Sequence, residues 1–121
     1  MGARNFREYP VWQEAVEYAT KIYSITEKMP WFEKKGLCDQ LQRAAVSISS
    51  NIAEGAAKDS NMEFAHFLEH ALGSSFEVET QLLIAKNIGY VAPETHAEFL
   101  ETLTSIQRQI NALIIKVRNS N

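Results

Sequence analysis

Apolar residues in this chain recur at steps of three and four in four separate segments, and each segment meets a residue that stops helices. The first, VWQEAVEYATKIYSITEKM, carries Trp12, Ala15, Ala19, Ile22 and Met29 on one stripe, widened by Val16 and Tyr23. Pro10 precedes it and Pro30 ends it, because a proline pushes the preceding residue out of helical geometry. In the second, Leu37, Leu41, Ala44, Ile48 and Ile52 fall in line, and Gly36 is placed to make the first turn irregular. Ser60 and Glu63 then form an S-x-x-E capping box, in which the hydroxyl accepts from the backbone N–H of Glu63 and the carboxylate reaches back. The third segment buries Phe64, Leu68, Ala71, Ser75, Val78 and Leu82 and stops at Gly89. Pro93 suits the first turn of a fourth, where Leu103, Ile106, Ile110, Leu113 and Val117 repeat at heptad spacing, and the RNSN tail should fray.

Four helices, at about residues 11–29, 32–57, 61–88 and 93–118, are therefore expected, joined by short loops. Short loops make sequential helices antiparallel neighbours. The predicted class is all-α, an up-down-up-down four-helix bundle filling one domain over residues 1–121. No segment alternates β-branched residues between turn signals, so no sheet is expected.

Charge narrows the functional classes. The formal net charge is -3 and the sequence pI about 5.6, which disfavours a protein held to nucleic acid by bulk charge. A basic patch must then be argued from position. The single cysteine, Cys38, rules out an intrachain disulfide and reads as a small buried thiol. No apolar run approaches the roughly 20 residues that span a bilayer. The N-terminal stretch lacks a signal-peptide apolar region, and MGARNF has Phe6 where a myristoylation signal needs Ser or Thr. A cytoplasmic protein with no membrane partner is the expectation.

Two strings tempt a catalytic reading. His66-Phe67-Leu68-Glu69-His70 matches H-x-x-E-H, the inverted zinc-protease signature, and places both histidines on one helix face. A catalytic zinc needs a third protein ligand, and a slim bundle offers little cleft. Glu63 and His66 form an E-x-x-H, but di-iron bundles need a second copy; Glu94-Thr95-His96 has the wrong spacing. Neither a phosphate-binding glycine loop nor a nucleophile elbow is present. The expectation is a protein without enzymatic activity, catalytic residues, metal or cofactor.

The stretch QLQRAAVSISSNIAEG is more informative. At about 100° per residue, Gln40, Arg43, Ser47, Asn51 and Glu54 fall within an arc of about 80°, beside the apolar line. The third helix repeats the arrangement with Glu63, His66, His70, Ser74, Glu77 and Gln81. Solvated faces favour Lys and Glu, whereas these seams use short or amide side chains. The pattern predicts a half-buried hydrogen-bond network or a subunit contact, with Gln40, Arg43, Ser47, Asn51, Glu54, Ser74, Glu77 and Gln81 as its residues. Arg43 and Glu77 are candidates for a charge-assisted contact within or between subunits.

These stretches carry a family resemblance. VWQEA, GLCDQLQRAAVSISSNIAEG and EF..FL...LGS..EVETQL...KNIGY closely resemble the four-helix-bundle proteins encoded in intervening sequences of bacterial 23S rRNA genes, over roughly residues 6–90. Family members often have proline at the position of Ser49, so a kink in the second helix is absent here. The resemblance implies a homo-oligomer, a homopentamer around a central channel, with no firmly established activity. It also implies RNA or a nucleic-acid-processing protein as partner, since a related branch serves diversity-generating retroelements as a basic accessory protein of the reverse transcriptase.

In the predicted topology both termini and the loop between the second and third helices share one end. Arg4, Arg7, Lys58, Lys116 and Arg118 collect there as candidate nucleic-acid contacts, opposed by Glu8, Glu54 and Asp59. Trp12, Tyr18 and Trp31 are candidate exposed aromatics. The competing expectations are a protein-interaction scaffold or reverse-transcriptase accessory subunit without RNA contact of its own, and a metal-dependent hydrolase using His66, Glu69 and His70.

Overall fold

The computed structural model describes residues 4–120, and among these every regular element is helical. The residues weighed for a lipidation signal lie partly outside this range. Four α-helices follow one another: α1 Pro10–Thr26, α2 Leu37–Ala56, α3 Asn61–Ile88 and α4 Pro93–Arg118. Single 3-10 turns occur at Phe6–Glu8 and Trp31–Glu33.

The ends of α3 and the start of α4 follow their local signals. Ser60 caps α3 by accepting from the Glu63 N–H at 3.1 Å, while its own hydroxyl donates to the Glu63 carboxylate at 3.4 Å. The carboxylate thus reaches back to the hydroxyl of Ser60. Gly89 adopts φ +100°, the left-handed geometry that closes α3, with Tyr90 N–H donating to the Ala85 carbonyl at 2.9 Å. Pro93 occupies the first turn of α4, where its missing N–H leaves no bond unmade.

The linker between α1 and α2 departs from expectation. α1 stops at Thr26 and the chain turns before Pro30, although Met29 stays buried. α2 begins at Leu37 instead of about residue 32. Gly36 sits at φ -109°, ψ -111°, outside helical geometry, so the helix cannot run through it.

Contacts between helices fix their directions. Gln40 meets Gln81 and Ser47 meets Ser74, so numbers rise along α2 as they fall along α3. Gln107 to Glu79 and Arg118 to Glu69 run the same way for α4 and α3, as do Tyr18 to Phe99 and Gln109 to Glu14 for α1 and α4. Helices α2 and α3 form the most extensive pair, and α1 meets α4 least closely. Arg4 lies on the carbonyls of Ala56 and Lys58, and Asn61 donates to the Ser120 carbonyl, so both described chain ends flank the α2–α3 turn.

The core is aliphatic, built around Ile22, Leu41, Ile48, Ile52, Leu68, Leu82, Leu103, Ile106 and Ile110 with Phe64. Three expectations change. Tyr18 is not an exposed aromatic but is 2% exposed, edge-on to Phe99, its hydroxyl donating to the Phe99 carbonyl at 3.0 Å. An amphipathic ring can enter a core when its O–H finds an acceptor. Burial, reinforced by Glu79, pushes its phenol far above the ordinary range. Val16 and Tyr23 lie exposed, because the buried stripe of α1 widens towards Val11 and Tyr18 instead. On α4, Ile114 is buried and Leu113 only half-buried, as expected when a straight helix drifts off a strict heptad.

Cys38 is buried beside the Thr26 carbonyl and the Met29 sulfur; burial, then the nearby Glu33 carboxylate, pushes its thiol up. Trp12 is half-buried against Phe6, whereas Trp31 stands exposed. No helix of the described residues is long and apolar enough to cross a membrane.

Candidate assembly and nucleic-acid surfaces

The polar seams of α2 and α3 face each other within one chain. Ser47, Asn51 and Gly55 follow at steps of four along α2, a row of small side chains that lets α3 come close. Ser74, buried on α3, donates to the Ser47 hydroxyl at 2.8 Å, and Asn51 donates to both the hydroxyl and carbonyl of Ser47, each at 2.8 Å. Three of the eight predicted seam residues thus form one connected network inside the bundle. Gln81 donates to Gln40 at a long 3.5 Å, and the Gln81 carbonyl oxygen is buried without a partner among the described residues.

The charged members behave differently. Within the chain Arg43 pairs with Asp39, one turn earlier on α2, at 3.0 Å, and not with Glu77. An i,i+4 carboxylate is reached without the side chain crossing the seam. Arg43, Glu54 and Glu77 stand exposed along the outer margin. Gly55 is the seam residue that sequence reasoning passed over. A Cβ there would lie 2.7 Å from the Phe67 Cβ and 3.0 Å from the Phe64 ring, so the contact requires glycine. The step of four from Ser47 and Asn51 was its signal.

At the end carrying the termini, the five candidate cations have unequal freedom. The Arg4 guanidinium donates to the carbonyls of Ala56 and Lys58 and to the Asn61 side chain at 2.6 Å, and it lies 4.6 Å from the Phe64 ring centre. It therefore caps the negative C-terminal end of α2 and ties the N-terminal arm down. Arg118 is committed to Glu69, and this hydrogen bond draws the Glu69 carboxyl below its ordinary value. Lys58 rests over the Phe67 ring at 5.0 Å and Arg7 over Phe6 at 4.5 Å. Lys116 is exposed on the last turn of α4. The outward-facing basic set is thus Arg7, Lys58 and Lys116, among Glu8, Glu54, Asp59 and Glu63.

His66 and His70 project from the exposed side of α3 with their Nε2 atoms 3.3 Å apart. The Glu69 carboxylate lies 3.8 Å from His66 Nδ1. Among the described residues, no group of three or more His, Cys, Asp or Glu side chains is placed to hold one metal ion. The three-ligand set of a zinc hydrolase is therefore not assembled within the described chain.

The profile of the 23S rRNA-intervening sequence protein family matches residues 7–112, from the 3-10 turn before α1 into the last third of α4. The chain belongs to this family. Within the 23S rRNA-intervening sequence protein match, QLQRAAVSISSNIAEG forms the body of α2, and its polar residues Ser47 and Asn51 with Gly55 build the contact to α3. Ser49 lies in an unbroken α2, its hydroxyl bonded to the Val46 carbonyl. The fold is also that of a crystallised protein of unknown function from the S23 ribosomal protein family of Bacteroides thetaiotaomicron, with a TM-score of 0.79 and 24% identity over 86% of this chain and 97% of that one. No curated protein matches the chain.

Proposed function

We propose that this member of the 23S rRNA-intervening sequence protein family is a non-enzymatic, self-assembling bundle that acts as a homopentamer and binds RNA. The observation that carries assembly is the outward surface of α3. Phe76, Leu83, Ile84 and Ile88 are 44–54% exposed there, while the opposite side of the same helix lines the core. A helix apolar on both sides is ordinarily covered on both sides. Further copies of the chain are the natural cover, because a closed ring leaves no unpaired patch. The family's tie to 23S rRNA supports RNA as the partner, and cyclic repetition of Arg7, Lys58 and Lys116 would supply its phosphate contacts.

Multi-angle light scattering tests the assembly: a pentamer is expected, and a clean monomer at micromolar concentration overturns it. RNA titration at several salt concentrations tests the second part. Affinity should fall linearly on a logarithmic salt scale, and absent or salt-independent binding removes the phosphate-contact reading. A protein-interaction scaffold, including a reverse-transcriptase accessory role without RNA contact, is favoured by one observation: Arg4 and Arg118 already have partners within the chain. A native complex that survives nuclease would support this second reading over the first.

A further inference from the structure

The pair of histidines on α3 is left unused by an assembly function, and its geometry is specific. We infer that His66 and His70 form a two-histidine clamp for a borderline transition-metal ion, Zn²⁺ in the first instance. An ion bound by two imidazole nitrogens at about 2.05 Å, with those nitrogens 3.3 Å apart, subtends an N–metal–N angle of about 107°, close to the tetrahedral value of about 109°. The two Nε2 atoms thus have the spacing of two ligands on one tetrahedral zinc ion. They are four residues apart on one continuous helix, so the spacing is held by backbone hydrogen bonds.

The surroundings place a negative charge beside the pair. The Glu69 carboxylate faces His66 Nδ1 at 3.8 Å and is itself anchored by Arg118. At that distance the carboxylate is not hydrogen-bonded to the ring, but its negative charge beside the pair favours a bound cation. At 3.3 Å one Nε2–H can donate to the other Nε2, and a cation held between the two rings would take the place of that proton. The clamp opens onto a shallow groove of about 450 Å³, also bordered by Ser47, Asn51, Gly73 and Glu77. Among the described residues no third side chain closes the ion in, so two positions remain for water or for a donor brought by another molecule. The site is one of binding, not hydrolysis, and imidazole ligation selects zinc, copper or nickel over magnesium or calcium.

Isothermal titration of the tag-free full chain with ZnCl₂ tests the clamp. One saturable ion per chain and a zinc-dependent rise in melting temperature are expected, with no effect of MgCl₂. His66→Ala and His70→Ala should each abolish saturable binding while retaining the helical circular dichroism, since both side chains are exposed. His96→Ala, at the start of α4, should bind as the unaltered chain does. Glu69→Gln removes the neighbouring negative charge and should weaken binding by up to about tenfold, and unchanged affinity would remove the carboxylate from the site. Absence of saturable binding, or binding that survives in the double His66→Ala, His70→Ala variant, overturns the proposal.

Discussion

Two glycines divide the α2–α3 interface into a closed end and an open margin. Gly55 is buried, and any side chain there would strike Phe67 and Phe64. Gly73 is exposed in the middle of α3, with nothing within 4 Å of where its Cβ would stand. Each lowers helix stability by about 1 kcal/mol relative to alanine. At Gly55 the close approach of two helices offsets that loss within a single chain. At Gly73 nothing among the described residues does. The contrast separates what the fold needs from what it leaves open: the closed end specifies helix packing, and the open margin borders the groove beside His70 and Glu77.

The largest expected effect comes from filling the closed end. Gly55→Leu should destabilise the chain by about 3 kcal/mol, because α2 and α3 must separate or Phe67 must leave its rotamer. Urea unfolding followed by circular dichroism measures it. A midpoint unchanged from that of the unaltered chain would mean that the two helices do not approach as closely as 2.7 Å implies.

How much of this was legible follows from how local each signal is. The cap at Ser60, the stop at Gly89 and the start at Pro93 are written in one to four residues, and the structure places each where the sequence did. Gly36 marks an irregular first turn in the sequence, but only its backbone angles show that α2 starts after it, at Leu37 and not near residue 32. Tyr18 is buried where the sequence suggests an exposed ring, because its burial depends on Phe99, 81 residues away, offering a carbonyl to the phenol. The composition of the seams was readable, and so were its small members Ser47, Asn51 and Ser74. The partner of Arg43 was also in plain view, since Asp39 stands one helical turn before it. What no single sequence shows is which half of a polar seam faces a helix of the same chain.

Next in size is the network that joins the seams. Ser74→Ala should cost about 1 kcal/mol, the net value of one buried hydrogen bond, and combining it with Ser47→Ala should cost less than the sum. Additive losses in the double-mutant cycle would show that the two hydroxyls, 2.8 Å apart, do not act together.

Gly73→Ala tests the open margin and should move two readouts in opposite directions. The isolated chain should gain about 0.5–1 kcal/mol from the added helix propensity, since the Cβ meets nothing. If the proposed assembly uses this margin, the mass at a fixed concentration should fall, because the added methyl group would stand where a second copy packs. Gain in stability with an unchanged mass would exclude Gly73 from the proposed contact and leave the exposed Phe76 and Leu83 as its candidates.

The smallest effect is expected at Arg43, and its size is what makes it useful. The side chain is 80% exposed and its partner Asp39 46% exposed, so the pair is screened by water and salt. Such i,i+4 pairs contribute about 0.3–0.5 kcal/mol, and alanine recovers part of that through its helix propensity. Arg43→Ala should therefore shift the melting temperature by no more than about 2 °C, with the mass in solution unchanged. A loss several times larger, appearing together with a drop in mass, could not come from the contact to Asp39. It would mean that the guanidinium meets a carboxylate of another copy across the same margin that Gly73 leaves open.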